Sequence, residues 1–226
     1  MTRTKLIDRK LPGYTRGEEI FNMVSHIIGG GFGVVALSTC VVFAFIYSNA
    51  YGIVGSFIYG FSMILLYTMS SIYHGLHNET AKKVFQIIDH CTIFILISGT
   101  YTPIVLCSIR SVNPLLGWGI FGFVWGVSAL GITLNAIDLK KYSKFSMVCY
   151  LLLGWCIVFG GKAAISAIPK MGMILILLGG VSYTLGAAFY GIAAKKKMRY
   201  IHSVFHIFVV IGSILQYFAI LFYVIL

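Results

Sequence analysis

The sequence predicts an all-α membrane protein, a seven-transmembrane helix bundle with its N-terminus in the cytoplasm and its C-terminus outside. Three observations predict it. Of 226 residues, 59% are hydrophobic and 10% charged, with a mean hydropathy of +0.93, too few polar side chains to cover the surface of a soluble domain. The apolar residues fall into seven blocks, each long enough for a hydrocarbon core that takes roughly 20 helical residues. The basic residues gather on alternate connections between those blocks, the asymmetry that marks cytoplasmic loops.

The blocks predict spans over 22–47, 51–74, 86–109, 114–137, 145–165, 171–194 and 201–226. The first follows the acidic pair Glu18 and Glu19 and continues as a full span with no small-residue cleavage site, so it is read as an anchor and not a cleaved signal. The second closes on the polar run SSIYH, and the third opens with Asp89 and His90. The fourth runs over 114–137, the lysine group at 140–144 separates it from the fifth, and the sixth follows over 171–194. The seventh opens with YIHSVFHIFVVIGS. Its two histidines stand four residues apart in a segment otherwise made for lipid. The short connections leave no room for a second folded unit, so residues 1–226 are expected to form one transmembrane domain.

Fourteen of the 17 basic residues fall on one side of this scheme. They are Arg3, Lys5, Arg9, Lys10 and Arg16 before the first span, Lys82 and Lys83 between the second and third, Lys140, Lys141 and Lys144 between the fourth and fifth, and Lys195, Lys196, Lys197 and Arg199 before the seventh. Arg110, Lys162 and Lys170 fall on the other. The net charge of +11 is therefore a topology signal, a basic rim facing anionic headgroups. Nucleic acid is not an expected partner; membrane lipids are. The expected location is the plasma (cytoplasmic) membrane, as a multi-pass protein. Cys40, Cys91, Cys107, Cys149 and Cys156 all fall in apolar blocks, odd in number and without a CxxC pair, which fits packing residues better than a disulfide or metal framework. The glycines, the Gly122xxxGly126 pair included, are expected to let helices pack closely in lipid.

Ionisable groups inside spans are costly and point to function. Here nearly all lie at one depth. Ser70 and His74 end the second span, Asp89 and His90 open the third, and His202 and His206 open the seventh, while Glu18, Glu19, Asn22, Ser25 and His26 open the first. Residues four apart share a helix face, so His202 faces with His206 and Ser70 with His74. Three imidazoles with a carboxylate or water are the donor set zinc prefers. The same histidines can instead be interhelical hydrogen-bonders. Asp89 can equally pair with Lys82 or Lys83, and the HxxxH of the seventh span lacks the glutamate of a metalloprotease helix.

The ExxNxxSH of the first span (Glu19, Asn22, Ser25, His26), the SxxxH of the second (Ser70, His74), Asp89 and the HxxxH of the seventh (His202, His206) resemble, in this order, the progestin and adipoQ receptor family. Its bacterial hemolysin III branch is the closer match in size. The resemblance covers essentially the whole chain. It implies an N-in seven-helix fold with a Zn2+ ion near the cytoplasmic leaflet, ligands at His74, His202 and His206, Asp89 holding a zinc-coordinated water or the metal itself, and Ser70 beside the site. It also implies kinship with alkaline ceramidases, and the bacterial branch is linked both to hemolysis and to membrane-fluidity homeostasis.

The expected chemistry is metal-dependent hydrolysis of a lipid amide or ester, with Asp89 as general base and Ser70 as a hydrogen-bond donor to the oxyanion. Glu19, Asn22 and His26 are expected to support the ligands. Two other functions stay open: a membrane sensor or regulator with structural zinc, and a cytolytic protein.

Overall fold

The computed structural model describes residues 3–195 and 198–226, with the side chains of 193–195 outside that description; Lys196, Lys197 and the side chain of Lys195, counted above in the basic connection, lie outside it. Every regular element among the described residues is a helix, and none of them is a strand. In chain order the helices are α1 (Arg16–Tyr47), α2 (Ala50–Gly75), α3 (Glu79–Pro103, continued through a π-helical turn at Ile104–Ile109 to Val112), α4 (Pro114–Gly154), a short α5 (Gly161–Ala167), α6 (Lys170–Lys195) and α7 (Ile201–Ile220, ending in a π-helical turn at Leu221–Ile225). Six of them are long and apolar enough to cross a membrane, and large apolar side chains such as Phe45, Val54, Phe57 and Leu152 point outward. This is a multi-pass membrane protein.

The helices start where the sequence supplies acceptors for their free N–H groups. Thr15 and Glu18 form a reciprocal capping box on α1, which therefore begins six residues before the expected span. Asn49, Asn78 and Asn113 cap α2, α3 and α4 through their side-chain oxygens. One inward stripe of α1 runs Glu18, Asn22, His26, Gly29, Gly33, Ala36, Cys40 and Ala44. It begins polar and becomes small, so the lower part of α1 packs tightly on α2 while its start faces the other helices' polar ends. Contact there is close: a Cβ added at Gly29 would stand 2.7 Å from the ring of Tyr67, and one at Gly33 3.2 Å from the backbone nitrogen of Ile64. Gly122 and Gly126, expected to make such contacts, have nothing within 4 Å of an added Cβ. The spacing marks a face without saying whether a neighbour covers it.

The fourth helix breaks one residue past its expected end at 137, while the expected fifth span is not the continuous helix predicted. Residues 114–154 form one element broken at Asp138 (φ −157°, ψ 93°). The Asp138 carboxylate accepts from the backbone N–H of Lys141 at 3.1 Å and of Thr4 at 2.8 Å, capping the second arm while pinning the N-terminal segment to it. That arm ends at Gly154, and a 3-10 turn (Cys156–Gly160) and α5 follow instead of a continuous helix. Gly161, at φ 48° and ψ −130°, takes a conformation that suits glycine. Backbone groups freed at this break need other partners. Tyr101 supplies them, donating its hydroxyl to the carbonyl of Gly154 at 2.8 Å and accepting from the N–H of Ile157 at 2.9 Å.

The core gathers Tyr59, Met63, Tyr67, Phe94, Ile104, Val124, Leu153 and Ile220. All five cysteines are free, with Cys40, Cys149 and Cys156 buried. A cavity of about 150 Å³ separates α3, both arms of α4, α6 and α7, and reaches from His202, His206, Asp89 and Ser70 down to Gln216.

Candidate metal centre

His74 lies in the last turn of α2, and His202 and His206 lie one turn apart at the start of α7. All three are buried, at 3%, 7% and 1% exposure. One ring nitrogen from each lies within 4.8 Å of the others, so the three can hold a metal ion. Nε2 of His202 and Nε2 of His206 are 3.0 Å apart. Nitrogens around a tetrahedral ion with bonds of about 2.0–2.1 Å stand about 3.3 Å apart, so that pair is close to ligating separation, with a nitrogen of His74 within 4.8 Å of it.

The surroundings set which nitrogen His74 offers. Its Nδ1 lies 2.6 Å from Oε2 of Glu19, whose Oε1 takes Nζ of Lys82 at 2.9 Å. The carboxylate holds the proton on Nδ1 and leaves Nε2 as a lone-pair donor. That Nε2 is buried with no hydrogen-bond partner, as are Nδ1 of His202 and of His206. An orphaned buried acceptor of this kind costs about 1–3 kcal/mol, a cost removed for His74 Nε2 if an ion takes its lone pair. The donor set and this orphaned nitrogen fit a metal.

The other expected residues take distinct places. Asp89 is not one of the clustered ligands. Its side chain is 14% exposed toward the cavity wall, with Oδ2 3.8 Å from Nδ1 of His90, and Ser70 lines the same cavity. Neither nearby lysine pairs with Asp89: Lys82 is held by Glu19, and Lys83 by Glu79 at 2.6 Å and the carbonyl of Ile7 at 3.0 Å. Asn22 accepts from the hydroxyl of Ser203 at 2.7 Å, tying α1 to α7 between the two histidines. His26 stacks on His206 with ring centroids 3.8 Å apart, and both its ring nitrogens lack partners. Ser25 donates its hydroxyl to the carbonyl of Asn22 at 2.9 Å. His90 bonds the carbonyl of Gln86 and, at 3.3 Å, the hydroxyl of Tyr190, while His77 is exposed.

Two neighbours were missed from sequence. Ser203 sits in plain view between the histidines, but its bond to Asn22 spans 181 positions. Tyr14 precedes α1 and stacks over His202, centroids 5.0 Å apart and rings 16° from parallel. Burial holds its phenol above the usual tyrosine range, so the ring stays neutral. With Thr4 bound to Asp138 and Ile7 to Lys83, residues 4–14 form a strap across the histidine end of the bundle.

A family profile described as "Haemolysin-III related" matches residues 14–217. "Hemolysin-3" of Bacillus cereus is 35% identical over 207 residues, 92% of each chain. "Hemolysin-3 homolog" of Bacillus subtilis is 35% identical over 210 residues, 93% of this chain and 96% of that one. The matched span takes in His74, His202 and His206 together with the residues that surround them, and the chain belongs to the haemolysin-III related family.

Proposed function

We propose that the protein is a zinc-dependent hydrolase of lipid amide or ester bonds, acting on lipids of the cytoplasmic membrane and so on membrane lipid composition or fluidity. The observation that carries this reading is the buried triad His74, His202 and His206, two of which, His202 and His206, line the head of an apolar cavity that runs on to Gln216. In the same reading the chain spans seven times, with 139–154, the 3-10 turn and α5 together making the fifth crossing. The basic residues then put the N-terminus and the histidines on the cytoplasmic side.

His74, His202 and His206 would hold the ion, three protein ligands leaving a position open as catalytic zinc sites do. Bound there, zinc supplies Lewis acidity and lowers the pKa of water toward ~7. Glu19 fixes the tautomer of His74, and Asn22, through Ser203, fixes the turn of α7 that carries both other ligands. Asp89, on the cavity wall and free of lysine partners, is placed to accept a proton from the attacking water. Ser70 is placed to donate a hydrogen bond to the developing oxyanion. The apolar cavity holds the chain and excludes bulk water from the reacting bond.

Elemental analysis of tag-free wild type beside His202→Ala/His206→Ala tests the metal. Near one zinc per chain, lost in the variant, is expected; absence of metal from both returns the histidines to interhelical hydrogen bonding. His206→Ala is further expected to abolish hydrolysis of lipid amides or esters, and retained turnover would exclude the mechanism. A structural role for zinc is supported by the ligands' burial and by their joining α2 to α7; it predicts loss of thermal stability on metal removal with no lipid product at all. The name of the Bacillus relatives supports a cytolytic reading, which predicts leakage of liposomes by purified protein that metal removal does not change.

A further inference from the structure

The end of the cavity remote from the histidines holds a polar group with nothing to bind. Gln216 lies on the inward face of α7 and is 6% exposed. Its Nε2 donates to the carbonyl of Ile176 on α6 at 3.0 Å. Gly179 permits this: a Cβ there would stand 2.7 Å from that Nε2. The bond fixes the orientation of the amide, since a flipped side chain would set oxygen against oxygen. What remains is Oε1, buried and without a hydrogen-bond partner.

The other polar groups lining that half of the cavity are committed. Tyr101 bonds Gly154 and Ile157, Trp155 bonds Thr184, Thr184 bonds Gly180 and Thr100 bonds Leu96. The hydroxyl of Tyr183 shares Ser213 with that of Tyr67. An amide oxygen in an apolar cavity calls for a donor, and each of these groups already has a partner other than Gln216.

Building on the reading of the cavity as an acyl-chain site, we propose that Gln216 is a specificity determinant that accepts a hydrogen bond from a hydroxyl carried midway along the lipid chain. Its depth sets where that hydroxyl lies. Ten residues of helix separate Gln216 from His206, about 15 Å at 1.5 Å per residue, or half of a hydrocarbon core of ~30 Å. A chain with its polar end at the histidines therefore brings its middle carbons to Oε1. The substrate class is a long-chain lipid with a mid-chain hydroxyl, and an unsubstituted chain leaves the acceptor unpaired.

The test is binding, which needs no turnover. Purified protein in nanodiscs is titrated with octadecanoic acid, 12-hydroxyoctadecanoic acid and 2-hydroxyoctadecanoic acid, and the same is done with Gln216→Met. The expected result is that the mid-chain hydroxy acid binds wild type about ten-fold more tightly than the other two, the advantage of one buried hydrogen bond. Gln216→Met is expected to erase the difference while binding octadecanoic acid at least as well, which also shows that the variant is folded. Equal binding of all three acids to wild type overturns the role of Gln216 and leaves the acyl-chain cavity standing. Binding of none overturns both. Discrimination that persists in Gln216→Met places the selecting group elsewhere and overturns the assignment.

Discussion

Glu19→Gln is the sharpest probe of how the proposed metal centre is built. The carboxylate does two jobs with two oxygens: Oε2 meets Nδ1 of His74 at 2.6 Å and Oε1 meets Nζ of Lys82 at 2.9 Å. A glutamine of the same shape has one acceptor oxygen and an NH2, so it can serve the lysine or the imidazole but not both. Lys82, 9% exposed, also holds the carbonyls of His74 and Leu76 at 3.3 and 3.2 Å and is the stronger claimant on the oxygen. The NH2 then faces Nδ1 of His74, favours the proton on Nε2 and blocks the lone pair the ion needs. Loss of a partner of this kind lowers metal affinity by about 10–100-fold, or about 1.4–2.8 kcal/mol at 1.4 kcal/mol per tenfold. Competition with a zinc-chelating dye at fixed pH measures the change. Glu18→Gln is the control: Glu18 closes the capping box with Thr15 and accepts from the N–H of Tyr200 at 2.7 Å, so it should lower stability and leave affinity alone. Zinc bound as tightly by Glu19→Gln as by wild type would refute the argument that this carboxylate sets the tautomer of His74.

Other outcomes follow from the same geometry. Removing metal with a chelator is expected to lower the melting temperature in detergent, because it unties α2 from α7, and the shift should vanish in His202→Ala/His206→Ala; an equal shift in both would mean the chelator acts elsewhere. Tyr14→Ala removes a stacked ring worth about 0.5–1.5 kcal/mol, so zinc should leave to excess chelator about 2–10-fold faster, read by stopped-flow absorbance. Gly161→Ala forces a side chain into a positive-φ conformation and is expected to cost about 1–3 kcal/mol, measured as a lower midpoint of thermal unfolding. Gly122→Ala, where nothing approaches within 4 Å, should leave that midpoint unchanged.

Much of this was legible in the sequence, and the reason is that lipid imposes simple rules. Hydropathy located the long helices, because a chain in hydrocarbon must satisfy its backbone locally. Helix ends were placed less well: the Thr15–Glu18 capping box extends α1 into residues whose polarity disguises them as loop. The break between Gly154 and Gly161 was invisible to hydropathy because the segment is apolar throughout. Only the adjacent Gly160 and Gly161 hinted at it. At the metal centre, the four-residue spacings of Ser70 with His74 and of His202 with His206 are local and could be read directly. The meeting of α2 with α7 could be expected only from their shared depth. The pairing of Glu19 with His74 and Lys82, which decides what Asp89 is free to do, depends on rotamers. So does Tyr14, whose place over His202 depends on where the strap is anchored at Asp138.

The strap also bears on how the protein is handled. Thr4 is held by Asp138 at 2.8 Å, so a load on the chain ahead of Thr4 pulls directly on the segment that seats Tyr14 over His202. A polyhistidine leader there adds competing imidazoles beside a three-histidine centre. Leu226 follows the π-helical turn at Leu221–Ile225, at the opposite end of α7 from the histidines. Purification handles belong on that end, and zinc content or lipid binding measured with an N-terminal tag would report on a displaced strap as much as on the native centre.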